Sequence, residues 1–271
     1  MSWKACALQL SILAAVWLAI PPPVAAQDPA LALDPAAKAQ ALADDTDPTK
    51  PLFFSLRNEF TQLSDDAWTN AFILRHDKLA VKRLGVPGPA RGVLTRFDVP
   101  IVSSHSASGT TTGLGDLYAQ ALVAPRIRGR FVTAIGTGLT LPTATSKVLG
   151  RSKWIASPAI VPILFFPGRG LTYVKFQDFI SFAGDSERPD VHYFTVTGTF
   201  LYRTSKRWWI VVDTETNTNW KNSGTTWFKS GLLLGRMVSP RVGAWVKVEI
   251  PYGDYRVGEW ILKASVFRTR I

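Results

Sequence analysis

Hydrophobic and polar positions alternate along most of this chain from residue 52 onward. In the stretch 191–219, His192, Phe194, Val196, Gly198, Phe200 and Tyr202 form one row, and Tyr193, Thr195, Thr197 and Thr199 form the other. Beyond Thr204-Ser205-Lys206, Trp208, Ile210 and Val212 alternate with Val211, Asp213, Glu215 and Asn217. A period of two is the period of a β-strand, so the stretch predicts a hairpin with one apolar and one polar face.

The same unit recurs. Leu52, Phe54, Leu56 and Phe60 alternate with Ser55, Arg57, Glu59 and Thr61; Val93, Phe97, Val99 and Ile101 alternate with Arg96 and Asp98. Leu117, Ala119, Ala121 and Val123 alternate with Asp116, Tyr118 and Gln120. Near the end, Val242, Ala244, Val246, Val248 and Ile250 alternate with Lys247 and Glu249, and Trp260, Leu262, Ala264 and Val266 with Glu259, Lys263 and Ser265. About twelve such runs fall near 52–62, 69–77, 93–102, 114–125, 131–141, 154–165, 171–182, 191–202, 208–218, 226–237, 242–250 and 259–269. Most reach the roughly 9 to 11 residues with which a tilted strand crosses a bilayer. Alternation is weak in the runs near 69–77, 131–141, 154–165 and 226–237, and Asp178 falls on the apolar phase of its run. A bulge, a rim position or a shifted strand each explains that aspartate.

The connections carry a second pattern. Arg126–Arg130, Pro167–Gly170, Arg203–Arg207 and Ser239–Arg241 are short, whereas 103–112, 142–153, 184–189, 219–225 and 251–257 are longer and richer in Gly, Ser, Thr and Asn. Short turns alternating with long loops suit an outer-membrane barrel, with the short turns on the periplasmic side. The stretch 82–91, with Pro87 and Pro89, is an exception, long at a nominally short position. The fold expected is therefore all-β, a transmembrane antiparallel up-and-down β-barrel of about twelve strands spanning 51–271.

The start of the chain places that barrel in a cell. Lys4 precedes the apolar run Ala5–Ile20, followed by Pro21-Pro22-Pro23 and the small residues Val24-Ala25-Ala26. Residues 1–26 read as a secretory signal peptide. Residues 27–50, rich in Ala, Asp and Pro and without aromatics, read as a flexible periplasmic leader. The one cysteine, Cys6, lies inside the signal, which excludes disulfides and thiolate chemistry from the exported chain. The formal charge is +11; removing Lys4 with the signal leaves +10, and since 27–50 carry five Asp against Lys38 and Lys50, a net of −3, the part from 51 onward carries +13. A basic surface on an exported chain points to outer-membrane lipid or anionic solutes as partners rather than to nucleic acid.

Aromatic residues refine this. Phe200, Tyr202, Trp208 and Trp209 crowd a short-turn end, while Trp68, Trp154, Trp220, Trp227 and Trp260 lie near long-loop ends. The distribution predicts two interfacial girdles; aromatic anchors of a soluble β core are the competing explanation.

At Gly113-Leu-Gly-Asp-Leu the chain resembles the bacterial outer-membrane proteins grouped with the MetA pathway of phenol degradation. The likeness continues through Gly136-Thr-Gly-Leu-Thr-Leu-Pro-Thr-Ala-Thr, Leu149-Gly-Arg-Ser-Lys-Trp, Gly168, Ser181-Phe-Ala-Gly-Asp and Asn219-Trp, and covers about Leu52 to the end. It implies an outer-membrane, transporter-like barrel passing small, often hydrophobic or aromatic, compounds, and brings no catalytic residues or cofactor. The ending, Phe267-Arg-Thr-Arg-Ile271, departs from the terminal Phe or Trp that many such barrels carry.

The chemistry left to assign lies in the polar rows. Arg57, Glu59, Arg96, Asp98, Asp116, Lys175, Asp213, Glu215, Lys247, Glu249 and Lys263 are expected to line the lumen, because an Arg or Lys turned to lipid at mid-membrane costs roughly 2–4 kcal/mol. Their mixed signs fit either a plugged interior or a narrow selective path. Three histidines, His76, His105 and His192, leave a barrel lipid hydrolase as a rival, with His105 expected in a solvated loop. No Gly-x-Ser-x-Gly elbow is present, and the chain is expected not to be an enzyme. Neither a metal site nor a nucleotide loop is expected: Gly113-x-Gly and Gly136-x-Gly open no helix and read as strand glycines at a bend or close approach. The Asp185 and Glu187 pair reads as solvated. The expected role is a passive channel for small solutes; a structural or adhesion-like barrel without transport is the alternative.

Overall fold

The computed structural model describes residues 52–83, 90–127, 130–166, 169–204, 207–221 and 223–269; the expected signal peptide and leader lie outside them. Thirteen strands occur in chain order: β1 (Leu52–Ser64), β2 (Ala67–Arg83), β3 (Ala90–Ser106), β4 (Gly109–Leu114), β5 (Leu117–Ile127), β6 (Phe131–Leu141), β7 (Lys153–Phe166), β8 (Gly170–Gly184), β9 (His192–Arg203), β10 (Trp208–Asn219), β11 (Thr225–Met237), β12 (Val242–Tyr252) and β13 (Trp260–Thr269). Each pairs antiparallel with its neighbours. First meets last, with Glu59 opposite Lys263, so the sheet closes on itself. β4 and β5 share the partner β3, with Leu114 opposite Ile101 and Tyr118 opposite Asp98. They are one strand interrupted at Gly115-Asp116, which makes a closed barrel of twelve staves.

The faces are inverted relative to a water-soluble protein. On β1, Leu56 is 52% exposed and Arg57 2%; on β13, Val266 is 57% exposed and Lys263 0%. Phe72, Ile101, Ile135, Phe176, Val212, Leu232 and Val246 continue the exposed apolar surface around the barrel. Closure leaves no free sheet edge among the described strands, as a lipid environment demands.

Two connections differ from expectation. β3 and β4 continue as a paired hairpin to Ser106 opposite Gly109, so most of 103–112 is strand rather than loop. Gly109 turns that hairpin with φ of 105°, where a side chain would be strained. β2 and β3 likewise pair out to Arg83 opposite Ala90, so strand extends into both ends of the long stretch 82–91.

Aromatic side chains band both ends of the outer wall. At the long-loop end Phe60 stacks on Trp68 at 5.8 Å, Trp68 on His105 at 5.5 Å, and Trp260 lies 5.2 Å from Phe60. At the short-turn end are Phe200 and Tyr202, with Arg236 over the Trp208 ring at 5.0 Å. Two tryptophans expected in the girdles are elsewhere. Trp227 is buried on the inner face of β11, and Trp209 packs against the inner clusters around Leu201 and Leu233. Each sits on the phase shared with Lys229 or Asp213, and phase decides the face.

Candidate functional site

All eleven charged residues expected on the inner face are buried. Seven of them belong to one chain of contacts running over β10 to β13 and β1. Lys247 meets Asp213 at 2.8 Å and Glu249 at 2.7 Å; Lys263 meets Glu249 at 2.9 Å and Glu59 at 3.5 Å; Arg57 donates to Glu59 at 2.7 Å. Lys229, not expected, joins Glu215 at 3.3 Å to Glu249 at 3.5 Å. The strand period aims these side chains inward, and Gly231 on β11 makes room where Lys247 reaches over it to Asp213: a methyl group there would lie 2.6 Å from Lys247 Cε and 2.9 Å from Asp213 Oδ1.

A second arc lies on β2 and β3. Arg75 donates through Nε and Nη2 to both oxygens of Asp98, each at 2.7 Å, and Arg96 donates in the same way to Asp77 at 2.9 and 3.2 Å. Arg75 and Asp77 escape a reading of the sequence because their run alternates poorly. Their spacing of two, continuing Arg96 and Asp98 on the partner strand, is the usable signal. Bidentate pairing of this kind holds both groups in one geometry.

The remaining wall is largely neutral. Lys175 donates to Gln177 at 2.7 Å; Thr195, Thr197 and Thr199 form a buried hydroxyl row; Thr195 donates to Asn217, which donates to Glu215. Tyr118 and Ser157 approach to 3.5 Å over Gly138.

Asp116 serves a different purpose from the other ten. It occupies the break between β4 and β5 and accepts backbone N–H groups from Ala144 at 3.1 Å and Arg151 at 2.6 Å. Thr143 adds two bonds, accepting from Leu117 N at 2.9 Å and donating to Gly115 O at 3.1 Å, and Thr145 N donates to Leu114 O. Gly150 packs so closely on Asp116 that a methyl group would strike the carboxylate. Gly113–Leu117 is thus joined to Leu141–Thr145 and Leu149–Arg151 in one clasp that holds the β6–β7 loop against the break between β4 and β5. Arg151 ends it, 5.7 Å above the buried ring of Tyr193.

Toward the short-turn end the interior becomes apolar. Ala134, Val161, Ile163, Leu171, Tyr173 and Leu201 form one cluster, and Leu233, Trp245 and Phe267 another; Trp209 and Val211 pack against both. This collar explains the weak alternation of β6, β7 and β11: Val132, Val161 and Leu233 are buried inside while Ile135, Ile160 and Leu232 are exposed outside, so both faces read as apolar.

The long-loop end carries exposed ion pairs. Lys147 lies 2.9 Å from both Asp185 and Glu187, so these acids clasp the β6–β7 loop rather than standing solvated alone. The Lys147 contact, with the Glu187 backbone N–H, holds the Asp185 carboxyl below its ordinary range, and Lys153 and Lys221 do the same for Asp190.

The histidines do not converge. His76 is exposed on the outer wall; His105, on β3 rather than in a loop, bonds Thr110 at 2.7 Å; His192 pairs with Asp178 at 3.3 Å. That pair accounts for Asp178 on the outward phase, on a strand whose pairing shifts register between Trp154 and Ile155 of its partner. Ser181 near it donates weakly to Asp190 and accepts the Val191 N–H, so its hydroxyl serves the loop. Among the described residues no group of three His, Cys, Asp or Glu is placed to hold a metal ion.

A closed barrel with an apolar outside and a charged, hydrogen-bonded inside defines the class: the fold is that of outer-membrane β-barrels. Among solved structures, the COG4313 outer membrane channel from Pseudomonas putida F1 matches with a TM-score of 0.62 at 13% identity, covering 83% of this chain and 100% of that one. The NanC porin matches with a TM-score of 0.55 at 8% identity, covering 80% and 100%. No protein-family model and no curated protein matches the chain. The likeness is one of fold.

Proposed function

We propose that this protein is a passive outer-membrane channel for small solutes, exported by a signal peptide over 1–26 and carrying a periplasmic leader over 27–50. The observation that carries the reading is the inner face, which is polar or charged in mid-barrel while the outer face is apolar. Buried charge is costly, and a filled apolar interior would be as stable or more so. A polar interior is what a solute path uses. Ten of the eleven expected residues, all but the clasp residue Asp116, together with Arg75, Asp77 and Lys229, are its proposed lining. The sequence likeness to the phenol-degradation MetA grouping supports hydrophobic or aromatic solutes, and the solved channel and porin support passage as such. Reconstituted protein should swell liposomes in a solute-dependent way. A barrel that shows the boiled-versus-unboiled migration shift yet gives no permeability refutes the channel. That outcome would favour the structural barrel, which the mutual pairing of the interior charges also supports.

A further inference from the structure

Ions and apolar solutes meet opposite conditions along the barrel interior. In mid-barrel the charged arcs offer partners of either sign. Nearer the short turns the inner surface is the apolar collar, drawn from β6 to β13, where Leu171 and Leu233 are 1% exposed. Apart from the Tyr173 hydroxyl and the indole N–H groups, those side chains present hydrocarbon, which cannot replace an ion's hydration shell, and stripping it without compensation is prohibitive.

Two inward rings of the collar rest directly on glycines. Trp209 lies over Gly235, and Phe267 over Gly243, so closely that a methyl group at either glycine would strike the ring. Glycine inside a strand weakens it, and here it permits close approach of a ring to the wall. The two rings stand 5.8 Å apart at 60°, bridging β10 to β13 above the intervening glycines. Trp245 completes the group and also lies 5.8 Å beneath the Arg57 guanidinium, at the boundary between the collar and the charged arc.

We propose that this collar is a hydrophobic gate, a constriction that excludes hydrated ions and passes small uncharged apolar solutes. The inference rests on the channel reading. It assigns selection to Trp209, Leu233, Trp245 and Phe267 and leaves the charged arcs to line the path. Planar-bilayer recording of the full-length folded protein in KCl tests it, with Leu233→Asn and Phe267→Ser as hydrated-collar variants and Leu232→Ala, on the outward face of β11, as a control outside the path. The wild type should conduct ions poorly, and each collar variant should raise the conductance by about tenfold or more, as expected when a dewetted constriction becomes wet. The control should change conductance far less. In cells, the wild type should speed uptake of the apolar dye 1-N-phenylnaphthylamine. High ionic conductance in the wild type overturns the gate whatever the variants do. So does a Leu232→Ala effect as large as that of the collar variants. If wild type and folded variants carry neither ions nor dye, the channel reading itself fails, an outcome distinct from a barrel that conducts without a gate.

Discussion

Replacing Glu249 by Gln should destabilise the barrel more than removing any lysine that contacts it. Glu249 is 1% exposed and lies 2.7 Å from Lys247, 2.9 Å from Lys263 and 3.5 Å from Lys229. At an effective dielectric near 20, a unit pair about 3 Å apart attracts by about 5 kcal/mol before desolvation is counted. Most of that gross attraction offsets the cost of burying the charges, so the measurable quantity is the stability lost on removing one partner. Breaking a buried pair from one side costs about 3–5 kcal/mol, because the surviving charge stays buried. Glu249→Gln does this to a cluster of three ammonium groups and leaves Lys263 with Glu59 at 3.5 Å. Lys263→Met should cost only about 1–2 kcal/mol, since Glu59 keeps Arg57 and Glu249 keeps two lysines. Equilibrium urea unfolding in phospholipid vesicles measures both, and the double variant should cost less than the sum. A Lys263→Met effect equal to or above that of Glu249→Gln would refute the shared-carboxylate reasoning.

The geometry predicts three further outcomes. Gly231→Ala should cost about 1–3 kcal/mol in the same unfolding assay, because its methyl group must displace the Lys247–Asp213 crossing; a neutral result would show that the crossing is loose. Asp116→Ala removes the acceptor of two backbone N–H groups, so amide exchange at Ala144 and Arg151 should accelerate, with a loss of about 2–4 kcal/mol if water does not replace the carboxylate. The Lys147–Asp185 clasp should open in acid. Its carboxyl is held below the ordinary 3.8, so its contribution is complete above that pH and is lost as the pH falls through the lowered value. Amide exchange at Glu187, whose N–H bonds Asp185, should therefore rise below about pH 4 relative to neighbours such as Val196, after correction for the intrinsic rate.

Much of the fold was legible because a barrel wall is written in a period of two, and β1, β5, β9, β10, β12 and β13 show it plainly. The poorly alternating strands were obscured by a physical cause. Where β7 carries Val161 and Ile163 inward and Ile160 outward, an apolar collar faces an apolar membrane across one strand, and the alternation vanishes. Trp209 and Trp227 were misplaced for a related reason, since aromatic rings suit both an interfacial girdle and a barrel interior. Among the charges, Arg75, Asp77 and Lys229 lay in runs too weak to phase, although each sits on the same inward row as the residues that were found.

By itself, the sequence determined which residues share a face wherever its alternation is clear, because strand geometry alternates side chains whatever the surroundings. It also pointed to about twelve staves, from the runs and the turns between them. Only the tertiary structure decided which charges meet. Lys247 finds Asp213 across an intervening strand, through a gap left by Gly231, and Lys263 finds Glu59 only because the last strand closes on the first. The folded sheet likewise brings Gly113–Leu117 to Leu149–Arg151 and gathers Trp209, Leu233, Trp245 and Phe267 into a collar. Such contacts depend on register and shear around the whole barrel, and those quantities belong to the closed sheet, not to any single strand.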